Sequence, residues 1–349
     1  MSEIKFLVIG DFHYKKKMYA ATVRDLETMF AEANKENVNF CVHIGDFCND
    51  YKGSPELVSK YLNNEYNLSV FGVYGNHELE SADNSMQRVT PLLSNRNDLL
   101  VYGTESGKIE DGSVAYSYYD TAGFRLVFLD TNYSLTPDGE YEHNRTKSYG
   151  APRENSKSGS LGPRQIAWLE SVLDDAAKNA LRCVVFSHVA FSGVWASSPD
   201  TEAVKRIFKE ANAKRAGTVL LAINGHLHSN NKAFTEGGVS YFDCPASING
   251  WWQSAQFYPY KEEDEENPKY TFDYLDYDSD GALKGSYKMP YSKLSMGAQS
   301  LFYESPLFAI VTVTDEGKIK IKGRKTNFSY GVSIPLAECY DPEIKDFEN

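Results

Sequence analysis

The sequence predicts an α/β protein, a four-layer α/β/β/α sandwich of two mixed sheets flanked by helices, and three observations point to it. Five short apolar, β-prone runs, IKFLVIG, FCVHIG, LSVFGVYG, LRCVVFS and TVLLAING, each stop at a Gly or Ser followed directly by Asp, Asn or His. Helix-like segments separate the first of these runs, a βαβαβ alternation that calls for parallel strands with right-handed crossovers. Further strand-like runs after residue 113 are enough for a second sheet packed on the first.

Taken in order, the first strand is followed by an amphipathic helix from Met18 to Asn37, with Val23, Leu26, Phe30 and Ala33 on one face. Pro55 to Leu62 reads as a shorter helix, capped by Ser54 with Pro in its first turn. VAYSYYD and FRLVFLDT alternate about Gly123 as a hairpin would. Asn132 to Gly162 lacks periodicity and reads as a long substrate-facing loop, with Arg145, Lys147, Arg153 and Lys157 available to an anion. Pro163 opens the helix RQIAWLESVLDDAAK, whose buried stripe is Ile166, Leu169 and Leu173, and Thr201 to Lys214 forms another helix. Gly238 to Asp243, Leu307 to Thr314 and Lys318 to Lys322 read as strands, so that the second half builds its own sheet.

These elements are expected to form a single domain over residues 1–349, interrupted at residues 253–305 by an acidic, Tyr-rich insertion that includes KEEDEENPKY. Such a run reads as a solvated surface. Within it Asp276-Tyr277-Asp278-Ser279-Asp280-Gly281 begins like a calcium loop, but Tyr287 stands where the bidentate acid belongs. A simple Asp-Gly hairpin turn is the expectation there.

Composition narrows the function. A chain that is 42% hydrophobic and 24% charged is an ordinary globular protein. A net charge of −12 argues against a broad nucleic-acid or anionic-membrane surface, yet leaves room for a small anion drawn in by bound cations. No apolar run approaches the roughly 20 residues of a membrane helix, and no signal peptide is legible, so a cytoplasmic location is expected. The five cysteines include no C-x-x-C pair and read as reduced thiols, with Cys48 close in sequence to the site residues described next.

Five of the seven histidines fall in an ordered series: Asp11-Phe12-His13, Gly45-Asp46, Gly75-Asn76-His77-Glu78, Ser187-His188 and Gly225-His226-Leu227-His228. Each motif lies just past the carboxyl end of a strand, where open α/β sheets bind ligands. A lone D-x-H or G-H-x-H is a weak signal, and a lone Asp or His at a strand end is usually a cap or a core residue. Five in order carry far more information. Oxygen and imidazole donors without Cys suit hard or borderline cations, and the set suffices for two ions sharing one carboxylate.

In this order the motifs resemble the calcineurin-like metallophosphoesterases, nearest in pattern to the class III cyclic-nucleotide phosphodiesterase-like branch. The resemblance implies that Asp11, His13 and His228 hold one metal, that Asn76, His188 and His226 hold the other, and that Asp46 bridges them. The two ions would come from Mn, Fe, Zn, Co or Mg. It further implies hydrolysis of a phosphodiester or nucleotide-like phosphate by a hydroxide shared between the metals, with His77 contacting the phosphoryl group or protonating the leaving oxygen. That role asks for a carboxylate partner, which the sequence does not identify, since Glu78 need not face the ring. Asn49 stands where many members carry Asp, and no iron-binding tyrosine stands there as in purple acid phosphatases. Trp195 and Trp251 are candidates for stacking on a base. The partner is therefore a small phosphorylated substrate, with a nucleotide among the candidates. Phosphomonoester or phosphoprotein hydrolysis on the same core is the alternative, and a scaffold without activity is the alternative of another class. Complete ligands argue against the scaffold. His43 is expected to be structural and His143 to lie on a surface loop.

Overall fold

The computed structural model describes residues 2–14, 19–47, 66–79, 94–103, 116–144, 157–193, 197–228, 232–251, 271–277, 283–290, 300–326 and 343–349. The first sheet is built on β1 (Glu3–Ile9), which pairs in parallel with β2 (Phe40–His43), itself parallel to β3 (Ser69–Gly72). On its other side β1 pairs antiparallel with β18 (Ala309–Thr314), and β19 (Ile319–Lys322) and β20 (Phe347–Glu348) extend the sheet. The second sheet has a parallel centre of β6 (Phe124–Phe128), β10 (Arg182–Phe186), β11 (Val219–Asn224) and β13 (Val239–Asp243). Antiparallel β5 (Ser117–Thr121) and β4 (Val101–Tyr102) close one edge and β12 (Phe234–Glu236) the other.

Strand periodicity sorts the core into three layers of side chains. Phe6 and Val8 of β1 face the second sheet and meet Phe128, Val184 and Phe186, whereas Leu7 and Ile9 face outward onto Leu26, Met29, Phe30 and Ala33 of helix α1 (Tyr19–Lys35). On the far side Val127 and Val185 pack under α2 (Pro163–Lys178) and α3 (Thr201–Lys214), through Leu169, Leu173, Val204 and Phe208. The result is the expected α/β/β/α sandwich of two mixed sheets. In α2 the buried stripe is Leu169, Val172, Leu173 and Ala176, with Ile166 only partly buried. Among the described residues, no helix is long and apolar enough to cross a membrane.

Three expectations need correction. The closing strands do not join a sheet of the second half: β18 returns to the side of β1, because its Ala309, Val311 and Val313 fill the space between the sheets. The stretch after Asn132 is not an irregular loop in its described parts, since β7 (Tyr133–Leu135), β8 (Tyr141–His143) and β9 (Lys157–Ser160) form a small antiparallel sheet. Strands of three or four residues with polar inward faces carry no readable alternation. His143, expected on the surface, is buried at 6% exposure. In the insertion, β15 (Thr271–Tyr277) and β16 (Leu283–Pro290) pair antiparallel, and β17 (Ser300–Phe302) pairs with β14 (Asn249–Trp251). The turn expected at 278–281 and the helix expected at 55–62 lie outside the described residues.

Candidate metal centre

All five motifs lie where strands β1, β2, β3, β10 and β11 run out, on one edge shared by both sheets. The chain must turn sharply there to aim side chains inward, and it does so in left-handed backbone. Asp11 (φ 51°), His13 (φ 47°), Asp46 (φ 53°), His226 (φ 69°) and His228 (φ 47°) all occupy the region that non-glycine residues rarely enter. Such strain persists only where surrounding contacts impose it and concentrates at functional sites. The elbows are fixed to one another by main-chain bonds: Asp11 N–H donates to Gly45 O at 2.9 Å and His13 N–H to Asp46 O at 2.9 Å.

The donors converge. His13 Nε2 lies 2.7 Å from His228 Nε2, and His228 Nε2 lies 3.4 Å from Asp11 Oδ1. Asp46 Oδ1 accepts the His77 main-chain N–H at 2.8 Å, which leaves Oδ2 facing both sets of imidazoles, 3.1 Å from His188 Nε2 and 3.7 Å from His13 Nε2. Asn76 Oδ1 is 3.2 Å from His188 Nε2. Donor atoms of Asp11, His13 and His228 form one compact group, and those of Asp46, His188 and His226 another. His188 Nδ1 donates to Ile44 O at 2.8 Å, which fixes the ring and leaves Nε2 toward the cluster. The His77 ring stands edge-on to His13 with 4.4 Å between centroids, and its side chain is 25% exposed.

Glu78 binds the main chain of two elbows. It is buried, and its carboxylate accepts main-chain N–H groups from Asp46 (2.9 Å), Phe47 (2.5 Å) and Gly75 (2.6 Å). One side chain thus locks the Asp46 and Asn76 elbows together. The close approach also explains two glycines: a Cβ at Gly75 would overlap the Asp46 carboxylate, and one at Gly225 the Asp11 carboxylate.

Burial governs the charges. It pushes the Asp11 carboxyl up to about 6 against the pull of His188, and it holds His13 down to about 3 and His226 down to about 4. At His188 burial opposes the proton, but the Asp46 carboxylate outweighs it and raises the imidazole to about 10. Asp46 is held well below the usual carboxylate range: burial opposes its charge, and His188 and His77 overcome it. Neutral imidazoles and carboxylates crowded nitrogen to oxygen, with a proton held in the cluster by Asp46, form a set that a cation fits by displacing that proton.

Arg145, Arg153 and Trp195 lie outside the described residues, as do Cys48 and Asn49, and Trp251 is described only as part of β14. His43 is structural as expected: it is buried, its Nδ1 accepts the Gly45 N–H at 3.1 Å, and its ring lies against Phe12 and Phe47. Sequence reading missed the hub at Asp130. His143 Nε2 lies 3.0 Å from Asp130 Oδ2, and Asp130 sits two residues past the carboxyl end of β6, the same position on its strand that Asp11 has on β1. That position was the available signal. It was masked by the reading of FRLVFLDT as one hairpin strand.

A family model described as calcineurin-like phosphoesterase matches residues 4–230. The manganese-dependent ADP-ribose/CDP-alcohol diphosphatase of Arabidopsis thaliana is 24% identical over 243 residues, which are 61% of this chain and 72% of that protein. The structure of a dimetal phosphatase from Danio rerio superposes with a TM-score of 0.55 at 15% identity, covering 94% of this chain and 99% of that one.

Proposed function

The chain belongs to the calcineurin-like phosphoesterase family and is a metal-dependent phosphoric ester hydrolase, and from that premise we propose that it cleaves a phosphodiester or diphosphate in a small nucleotide-like molecule. The observation that carries the reading is Asp46 Oδ2, which lies between the buried imidazoles of His188 at 3.1 Å and His13 at 3.7 Å. Asp11, His13 and His228 would hold one ion and Asn76, His188 and His226 the other, with Asp46 shared. When bound, the two metals supply an activated water at neutral pH and neutralise phosphoryl oxygens. The residues of the chain do the rest. Glu78 fixes both elbows, and the Ile44 carbonyl fixes the tautomer of His188. The reading gives His77 the task of handing a proton to the leaving oxygen, supported by its partial exposure and by Nε2 lying 3.9 Å from Asp46 Oδ2.

Manganese is the first ion to test and ADP-ribose or a CDP-alcohol the first substrate, on the strength of the Arabidopsis relative. The same reading takes the chain as one domain with an insertion at 253–305, a view supported by the return of β18 to β1. The decisive experiment strips the protein of metal, restores manganese, and compares bis-p-nitrophenyl phosphate, p-nitrophenyl phosphate and ADP-ribose with metal content measured alongside. Two bound ions and faster diester or diphosphate cleavage are expected. Preference for the monoester would overturn the substrate class, and failure to bind metal would overturn the centre. His77→Ala should keep both ions and slow turnover roughly 100-fold on a substrate with a poor leaving group. Unchanged turnover would remove His77 from the proton-donor role.

A further inference from the structure

Beyond the ligands, a second buried polar cluster touches the centre from the side of the second sheet. Leu129 to Asn132 follow β6, and Asp130, Thr131 and Asn132 are 2%, 3% and 2% exposed. Buried polar groups in a folded protein are satisfied by specific partners, so their bonds report what they hold. Asp130 Oδ1 accepts both the main-chain N–H of Asn132 (3.0 Å) and its side-chain amide (2.8 Å), while Oδ2 meets His143. The main chain of Asp130 is clamped by Gln165 of α2, whose Oε1 accepts the Asp130 N–H at 2.8 Å and whose Nε2 donates to the Asp130 carbonyl at 2.7 Å.

The outward bonds of this hub go to two ligand loops. Thr131 Oγ1 accepts the N–H of Val189, the residue after His188, at 3.2 Å. Asn132 Nδ2 reaches the Tyr74 carbonyl, two residues before Asn76, at 3.5 Å. The other half of the centre is held differently. Asp11 and His13 are tied to Gly45 and Asp46 through the main chain. His226, the third member of the Asn76 and His188 half, is anchored across to Asp11, its N–H lying 3.1 Å from each carboxylate oxygen. None of these bonds passes through residues 130–132.

We propose that Asp130, Thr131 and Asn132 are positioning residues for one half of the centre, holding the Asn76 and His188 loops in register so that the ion of this half depends on them and the ion of the Asp11, His13 and His228 half does not. The inference rests on the two-metal reading given above. Residues behind metal ligands typically govern affinity by roughly 10- to 100-fold, and here the effect should fall on one ion of two.

Titration of metal-stripped protein with manganese alone, followed by calorimetry and metal analysis, tests it. The wild-type chain should bind two ions. Thr131→Val, which keeps shape and removes the acceptor, should weaken one site about 10-fold or more and leave the other within about twofold, and Thr131→Ser should restore both. In a His188→Ala background Thr131→Val should change nothing further, and in a His13→Ala background it should remove most of the remaining binding. Asp130→Ala, checked for native circular dichroism, should repeat the selective loss. Equal weakening of both sites, no weakening, or no rescue by serine overturns the positioning role while the two-metal centre stands. A wild-type chain that binds no metal overturns both.

Discussion

Asp11, His13, Asp46, His226 and His228 each hold a left-handed backbone that costs on the order of 1–3 kcal/mol, and two of them are buried carboxylates. Strain and buried charge of this kind are offset when cations occupy the centre, so chelation should lower the unfolding temperature as well as stop catalysis. Saturation at about 100 times Kd would contribute roughly 2.7 kcal/mol, readable as a melting shift with and without chelator. Glu78→Gln is the sharper test at a single side chain. Glu78 accepts three main-chain N–H groups among the described residues, and an amide puts a donor against at least one of them. Manganese affinity should fall roughly 10- to 100-fold at both sites, since the Asp46 elbow is shared, and calorimetry would show it. The convergence of the carboxylate and imidazole donors was legible because each is a chemically distinctive residue at a strand end. The clamp at Glu78 was not, because its partners are main-chain amides and leave no mark in residue type. The same holds for Thr131, whose partner is an N–H of Val189.

Helix α1 was readable because Leu26, Met29, Phe30 and Ala33 recur at helical spacing and bury one stripe against Leu7 and Ile9. The same helix carries a charge at its buried margin. Burial pushes the Asp25 carboxyl from 3.8 up to about 6 against the pull of Arg24, whose Nη2 lies 3.4 Å away. A carboxyl raised on folding binds its proton more tightly in the folded state, so stability falls as pH climbs from about 4 to about 6 and the penalty is complete above that. Asp25→Asn should therefore stabilise the protein at pH 7.5 by up to about 3 kcal/mol and have little effect below pH 3.5, as urea titrations at the two pH values would show. By contrast β7, β8 and β9 could not be read. They run for three or four residues, and their buried members include Ser134, His143 and Ser160, whose polarity marks a loop until Asp130 and Asn144 are seen to satisfy two of them.

The two sheets meet through aromatic contacts that tie the site to the core. Phe186, fully buried, stands edge-on to Phe6 of the first sheet at 5.7 Å and stacks on Phe128 of its own at 5.4 Å. It ends the strand that delivers His188. Phe186→Ala should cost about 3–5 kcal/mol in chemical unfolding and weaken manganese binding as well, because the cavity lies two residues before His188 of the candidate centre. The layered architecture was legible from the alternation of apolar runs, but the partner of β1 was not, since alternation says which face is buried and never which strand lies alongside. That partner is β18, about 300 residues farther along the chain. During synthesis at roughly 5–20 residues per second, β1 would leave the ribosome some 15–60 s before the strand that completes its sheet, and even His228, the last residue of the candidate centre, would precede that strand by about 4–16 s. For that interval one edge of β1, with its row of unpaired N–H and C=O groups, is open to any other strand. A nascent chain of this kind needs either a chaperone or a temporary local partner, and stalling between residues 228 and 309 should produce a species that holds every ligand and still aggregates.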